Sequence, residues 1–303
     1  MALMSIEMNL LIELKHLARH LLLALITLCL PWALSFKLLR FLTRFGLGAS
    51  DFDAQALKNM SSQGVKINKV VAIRQMRLHR LVDLADYYKS WYTTAGWLKR
   101  YWRVIGDPLP DPQQYPAVLF VTFHYGQGFW ALRHFQKHGL SMAALYRPPP
   151  KPVCGDYFNY WFFWVRLRSI FRLTKTEPIR VGDDKSELTA LVRRLVQQQQ
   201  PVGVMPDIPT DPAHAVEVSL LGKRAYFASA LLRLVVKKNI PVVLYTSVLD
   251  LQSGARNVDI KVLCQHSSVE ELAQALASCL EAAIMNDATA WHLWPWAHEI
   301  IFD

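Results

Sequence analysis

The chain has 303 residues, 52% of them hydrophobic, with 10 Trp, 11 Tyr, 14 Phe and a formal net charge of +10; that admits one large α/β domain with appendages, or two domains, and a sizeable core. A basic, aromatic-rich chain fits nucleic acid, anionic lipid or an acidic protein, but zinc-finger spacing, an RNA-binding aromatic signature and a long Lys/Arg run are all missing, which argues against nucleic acid. Cys29, Cys154, Cys264 and Cys279 form no C-x-x-C, which argues against a metal site or disulfide framework and reads as reduced thiols in a cytosol-facing protein.

The first predicted element is apolar. Residues 21–36 form an uncharged run, shorter than the ~20 residues a spanning helix needs, and Pro31 kinks it. Lys15 and Arg19 precede it; Lys37, Arg40 and Arg44 follow. That pattern predicts a helix lying in or dipping into an anionic leaflet. The plainer alternative is a hydrophobic helix packed on the domain. A signal peptide is not expected, because no small-x-small cleavage site is evident. Residues 46–64 are polar and turn-rich and read as a loop; residues 65–103 read as a basic helical region; residues 107–112 are a Pro-rich connector. The expected organisation is a membrane-associating helix over 1–45, a basic helical region over 46–115 and an α/β region over 116–303, with 46–303 forming one compact domain.

The α/β region opens on Val118-Leu119-Phe120-Val121-Thr122-Phe123-His124-Tyr125-Gly126-Gln127-Gly128-Phe129-Trp130. The β-branched run predicts a buried strand, with a helix over 130–137. Open α/β sheets build chemistry at the carboxyl ends of their strands. His124 there can act as a general base if something orients it, and Gly126 and Gly128 allow close approach of backbone and substrate. A histidine that merely caps a strand end is the competing reading.

Residues 142–146 predict a short strand. Tyr146-Arg147-Pro148-Pro149-Pro150-Lys151-Pro152 is a rigid loop in which Arg147 suits a phosphate, or a stiff connector with solvated charges. Residues 157–168 are apolar around their circumference, and Arg166, Arg168 and Arg172 follow the rings, a layout for a membrane-interface helix or for core. A helix is expected over 185–200, with Asp183 or Asp184 near its start.

Residues 202–205 predict a strand ending at Pro206-Asp207. If it lies parallel and next to the first, Asp207 and His124 meet at one sheet edge as an acid–base pair; otherwise Asp207 caps a proline-rich turn. An apolar helix over 226–238 has a basic end, as the helix dipole prefers. Strands follow over 242–248 and 258–263, and Ser268-Val269-Glu270-Glu271 is a capping box opening a helix to 285. The alternation implies an α/β fold.

Taken in order, these segments resemble the late lipid A acyltransferases (the lauroyl and myristoyl transferases) of the lysophospholipid acyltransferase superfamily. The strand with His124-Tyr125-Gly126-Gln127 matches the histidine block, Tyr146-Arg147-Pro148 the second block, and Pro201-Val202-Gly203-Val204-Met205-Pro206-Asp207 the strand ending in Pro-Asp. Val218-Ser219-Leu220-Leu221-Gly222-Lys223 and Ile240-Pro241-Val242-Val243 match the segments that follow.

The resemblance implies a mixed, mainly parallel sheet flanked by helices behind an N-terminal hydrophobic membrane helix. It implies an enzyme on the cytoplasmic face of a bacterial inner membrane. Such an enzyme moves an acyl group from acyl carrier protein or acyl-CoA to a hydroxyl of a membrane glycolipid or phospholipid, without a metal or bound organic cofactor. His124 would be the base and Asp207 its orienting acid. Arg147 and Lys223 would hold anions, with Gly126 and Gln127 beside the substrate.

One departure matters. The family pattern is His-x-x-x-x-Asp/Glu, and Phe129 stands at the acid's place. Either another carboxylate such as Asp207 replaces it, or the donor is an aminoacyl or aryl group, or the chain is a catalytically silent lipid-binding member.

Overall fold

Apolar runs build a seven-stranded sheet in the order β1 (Trp102–Gly106), β9 (Arg256–Leu263), β8 (Val242–Leu249), β2 (Leu119–Val121), β5 (Val202–Val204), β3 (Ala143–Tyr146), β4 (Ile179–Arg180). This is a computed structural model describing residues 2–152, 156–181, 185–263 and 266–302. The strands from β8 to β4 run parallel; β9 is antiparallel to β8, and β1 is parallel to β9. The start of β1 therefore shares an edge with the carboxyl ends of β2, β5 and β8.

Side chains alternate across a strand, so the sheet feeds two cores. Leu119, Val121, Val202 and Leu244 enter one, with α9 (Ala230–Lys238), α10 (Val269–Asn286) and a small antiparallel sheet of β6 (Ala215–Leu220), β7 (Lys223–Ala228) and β10 (Ile301–Phe302). Val118, Phe120, Val243 and Tyr245 enter the other, under α1 (Ala2–Cys29), α2 (Trp32–Leu42), α4 (Lys69–Lys89), α5 (Ala95–Tyr101) and α6 (Phe129–Lys137). The architecture is mixed α/β with a mainly parallel sheet flanked by helices, as the sequence implies.

The N-terminal expectation needs correction. Residues 21–36 are not one kinked helix: Pro31 separates α1 from α2. No described helix is long and apolar enough to cross a membrane; Glu13, Lys15 and Arg19 interrupt α1. One side of α1 is tied to the body. Leu23 and Ile26 are buried, and His20 Nδ1 lies 2.7 Å from the Tyr88 hydroxyl. The Glu13 carboxylate accepts the Tyr157 and Phe158 N–H groups at 2.6 and 2.8 Å, capping α7 (Tyr157–Thr174). The other side exposes Leu10, Leu14, Leu17, Leu21 and Leu25.

Other segments also differ from expectation. Residues 46–64 contain α3 (Asp53–Ser62), whose Ala56 and Met60 are buried and whose Asn59 donates to the Trp294 carbonyl at 2.8 Å. The basic region is not one helix: α4 stops at Lys89, Thr94 caps α5, and β1 follows, recruited by β9. The helix expected over 226–238 begins only at Ala230, and residues 226–228 belong to hairpin strand β7, since Ala225 and Phe227 alternate into the core opposite β6. α8 (Lys185–Val192) gives way to a π-helical turn at Arg193–Gln197. Ser268 caps α10 through Glu271 N–H, but the Glu271 carboxylate takes the N–H of Ser267, one residue outside the expected box. Cys154, Asp183, Asp184 and Cys264 lie outside the described residues.

Candidate active site

The parallel register of β2 and β5 places Val121 beside Val204. His124 and Asp207 each lie three residues further on, so they emerge level at the carboxyl edge. His124 Nδ1 lies 3.0 Å from Asp207 Oδ1. Asp207 Oδ2 accepts the His124 backbone N–H at 2.9 Å and the Trp291 indole N–H at 3.0 Å. The Asp207 side chain is 0% exposed, whereas that of His124 is 30% exposed.

A carboxylate can only accept, so Nδ1 carries the proton and Nε2 keeps the lone pair. Burial alone pulls the imidazole pKa down; the Asp207 hydrogen bond and charge outweigh it, leaving His124 above its ordinary 6.5.

The ring opens on a cavity of about 290 Å³. Its walls include Leu132, Met142, Ile170, Val204 and Met205, and its polar groups include Asp83, Arg166 and His292. Arg166 of α7 and Asp83 of α4 form a bidentate pair at 2.8 and 2.9 Å, and the Asp83 charge raises the arginine's pKa further. Arg166 thus lines the cavity, paired with Asp83. The first turn of α6 meets the cavity at Gly128 and Phe129 and has no side-chain cap, and an uncapped helix start favours negative charge nearby.

The residues after His124 are held by the C-terminal segment. Gly126 has φ +66°, and a Cβ there would sit 1.7 Å from the Ser247 carbonyl oxygen. Its N–H donates to the Ala290 carbonyl, and its own carbonyl accepts His292 Nε2–H at 2.9 Å. The His292 backbone N–H donates to the His124 carbonyl at 2.7 Å. Because Nε2 holds the proton, a neutral His292 keeps its lone pair on Nδ1; burial favours that neutral form.

The other expected contacts are not brought here. Gln127 is fully buried, 2.9 Å from His79 Nδ1, with Asp287 on the far side of that ring at 2.9 Å. It supports the turn and does not reach the cavity. Arg147 is exposed and absent from the cavity wall, and Lys223 sits at the β6–β7 turn, donating to the Ser62 carbonyl at 3.2 Å. Phe129 lines the cavity as an apolar wall. Trp291, His292, Asp83 and Arg166 escaped assignment to the site; a clue to the first two was the aromatic-rich stretch from Trp291 to Trp296.

The arrangement holds an imidazole, backed by a buried carboxylate, at the wall of a largely apolar cavity, and its neutral form presents the Nε2 lone pair. It can accept a proton from a hydroxyl and stabilise the imidazolium that results. A family model described as bacterial lipid A biosynthesis acyltransferase matches residues 111–298. No curated protein matches the chain.

Proposed function

The chain belongs to the bacterial lipid A biosynthesis acyltransferase family, and from that premise we propose that it moves an acyl group from a thioester donor to a hydroxyl of a membrane glycolipid. The observation that carries this reading is the 3.0 Å contact between His124 Nδ1 and buried Asp207, with the opposite ring edge open to the cavity. It supplies, from the segment that follows β5, the acid that Phe129 cannot supply.

In the proposed reaction, the acceptor hydroxyl attacks the thioester carbonyl carbon while His124 Nε2 takes its proton. Asp207 stabilises the imidazolium, and the amides at the start of α6 receive the oxyanion charge. The carbon–sulfur bond then breaks, and the imidazolium returns its proton to the departing thiolate. Ester and free thiol are the products. The apolar walls suit an acyl chain, and acyl carrier protein or acyl-CoA supplies it.

The proposed location is the cytoplasmic face of a bacterial inner membrane. Support comes from the exposed leucines of α1 with the exposed Leu34 and Phe41 of α2 and Trp161 and Phe171 of α7, helices packed against α1, since large apolar side chains left exposed on packed helices suit a membrane or protein contact.

Lipid mass spectrometry on cells carrying wild type or His124→Ala tests the activity. A mass increment seen only with wild type is expected, and its size identifies the donated group. Identical lipid profiles, with both proteins folded and membrane-bound in a host supplying the native donor, would replace this reading with a non-catalytic one.

A further inference from the structure

A second concavity, of about 380 Å³, lies between α2, α5, the start of β1 and the turn after β8. Lys37, Arg100 and Arg103 line it, with Gln252 and Ser253, over a floor that includes the buried Phe36. All three cations are exposed. Among the described residues none of them forms an ion pair. The Asp250 carboxylate interacts electrostatically with Arg103. Its oxygens are already occupied by the N–H groups of Gln252 and Ser253 and by the Ser253 hydroxyl. Three cations from three separate elements around one hollow therefore retain donors for an outside anion.

The position of the hollow narrows the ligand. Trp102 pairs with Arg256 and Arg256 with Leu249, so Arg103 stands at the sheet edge that carries His124. Between β2 and β1 lie three strand spacings, about 14 Å. On α2 the helical period puts Leu34, Lys37 and Phe41 on one side, Arg44 follows in the 3-10 turn Thr43–Phe45, and all four are exposed. The hollow thus opens beside a face that alternates apolar and basic residues, as a surface at the lipid headgroup level does.

We propose that Lys37, Arg100 and Arg103 form a binding site for the phosphate of a membrane-lipid headgroup. The site seats the protein on phosphorylated lipid with the His124 cavity directed to the same surface. Its link to acceptor binding rests on the function proposed above; the phosphate site itself does not.

The test is vesicle flotation of the full chain, on phosphatidylcholine alone and on phosphatidylcholine doped with phosphatidic acid. Lys37→Gln/Arg100→Gln/Arg103→Gln is compared with Arg193→Gln/Lys237→Gln/Lys238→Gln, which removes the same charge from elsewhere on the surface. Expected is a loss of phosphatidic acid binding of about tenfold or more in the first variant only, equal binding of all proteins to the neutral vesicles, and competition by inorganic phosphate at fixed ionic strength. Equal losses in both variants would reduce the effect to diffuse charge attraction and overturn the site. Unchanged vesicle affinity in the first variant would overturn it too, whether that variant then loses affinity for inorganic phosphate alone or for acyl carrier protein. Flotation needs no turnover, so a catalytically silent chain still reports on this site.

Discussion

Asp207 and Asp86 are both fully buried, and each has a basic partner. Asp86, on α4, binds Arg256 through both guanidinium Nε and Nη2. That guanidinium is also fully buried, with its centre 4.1 Å from the Trp32 ring and 5.5 Å from that of Trp97. Burial pushes the Asp86 carboxyl up to about 6, against the pull of Arg256 in the other direction. Neither partner has an open side, and the pair joins α4 to β9 under a roof of rings. Asp207 instead backs an imidazole whose far edge faces a cavity. A buried carboxylate with a cation is thus no sign of chemistry in itself. What separates the two is the free edge on the partner.

That contrast predicts two different failures. Asp207→Asn should be the larger in rate, because an amide facing Nδ1 favours the wrong tautomer and leaves the imidazolium without a counter-charge. Turnover should drop about 10³–10⁴-fold, or about 4–5.5 kcal/mol of barrier, measured with a thioester donor on protein of checked fold. Asp86→Asn strands a buried guanidinium and should cost about 3–5 kcal/mol of stability, measured by denaturant unfolding, with turnover per folded molecule retained. If Asp86→Asn abolished turnover in folded protein, or Asp207→Asn only lowered stability, the distinction drawn here would collapse.

The fold and the active centre were legible in the sequence to different depths. Val118–Val121 and Val202–Val204 announce themselves by β-branched runs, and once they are taken as parallel neighbours, His124 and Asp207 meet. Trp291 and His292 could not be placed in the same way. They reach the site through the Ala290 carbonyl and the isolated bridge between Tyr125 and Trp291, contacts made across more than 160 residues and carried by no local periodicity. β1 was hidden for a related reason. Trp102–Gly106 follows a helix without a strong strand pattern and becomes a strand because β9 offers an open edge. In the hairpin of β6 and β7, helix-compatible Tyr226 and Phe227 were captured by pairing with Glu217 and Val216. Tertiary partners override local preference in each case. Arg147 shows a different limit, since a stiff cation-bearing loop describes chemistry without saying where the loop points, and the fold leaves Arg147 exposed away from the cavity wall.

The smallest effect expected is also the most diagnostic of how Asp207 is held. Trp291→Phe keeps a buried ring but removes the indole N–H from Asp207 Oδ2, leaving the His124 backbone N–H on that oxygen. Turnover should fall by about tenfold or less, the scale of one hydrogen bond to a charged group. The acid limb of the rate profile gives the sharper reading. The base must be neutral, so that limb follows the imidazolium pKa, which in the wild type lies above 6.5. With one donor fewer, the Asp207 carboxylate bears more uncompensated charge and holds the imidazolium more firmly. The limb should therefore move to higher pH in Trp291→Phe. Asp207→Asn removes the charge altogether and should move it to lower pH. Opposite displacements on one oxygen pair would tie Trp291 to the electrostatics of the dyad, whereas a limb that stays in place in Trp291→Phe would leave the indole with a packing role alone.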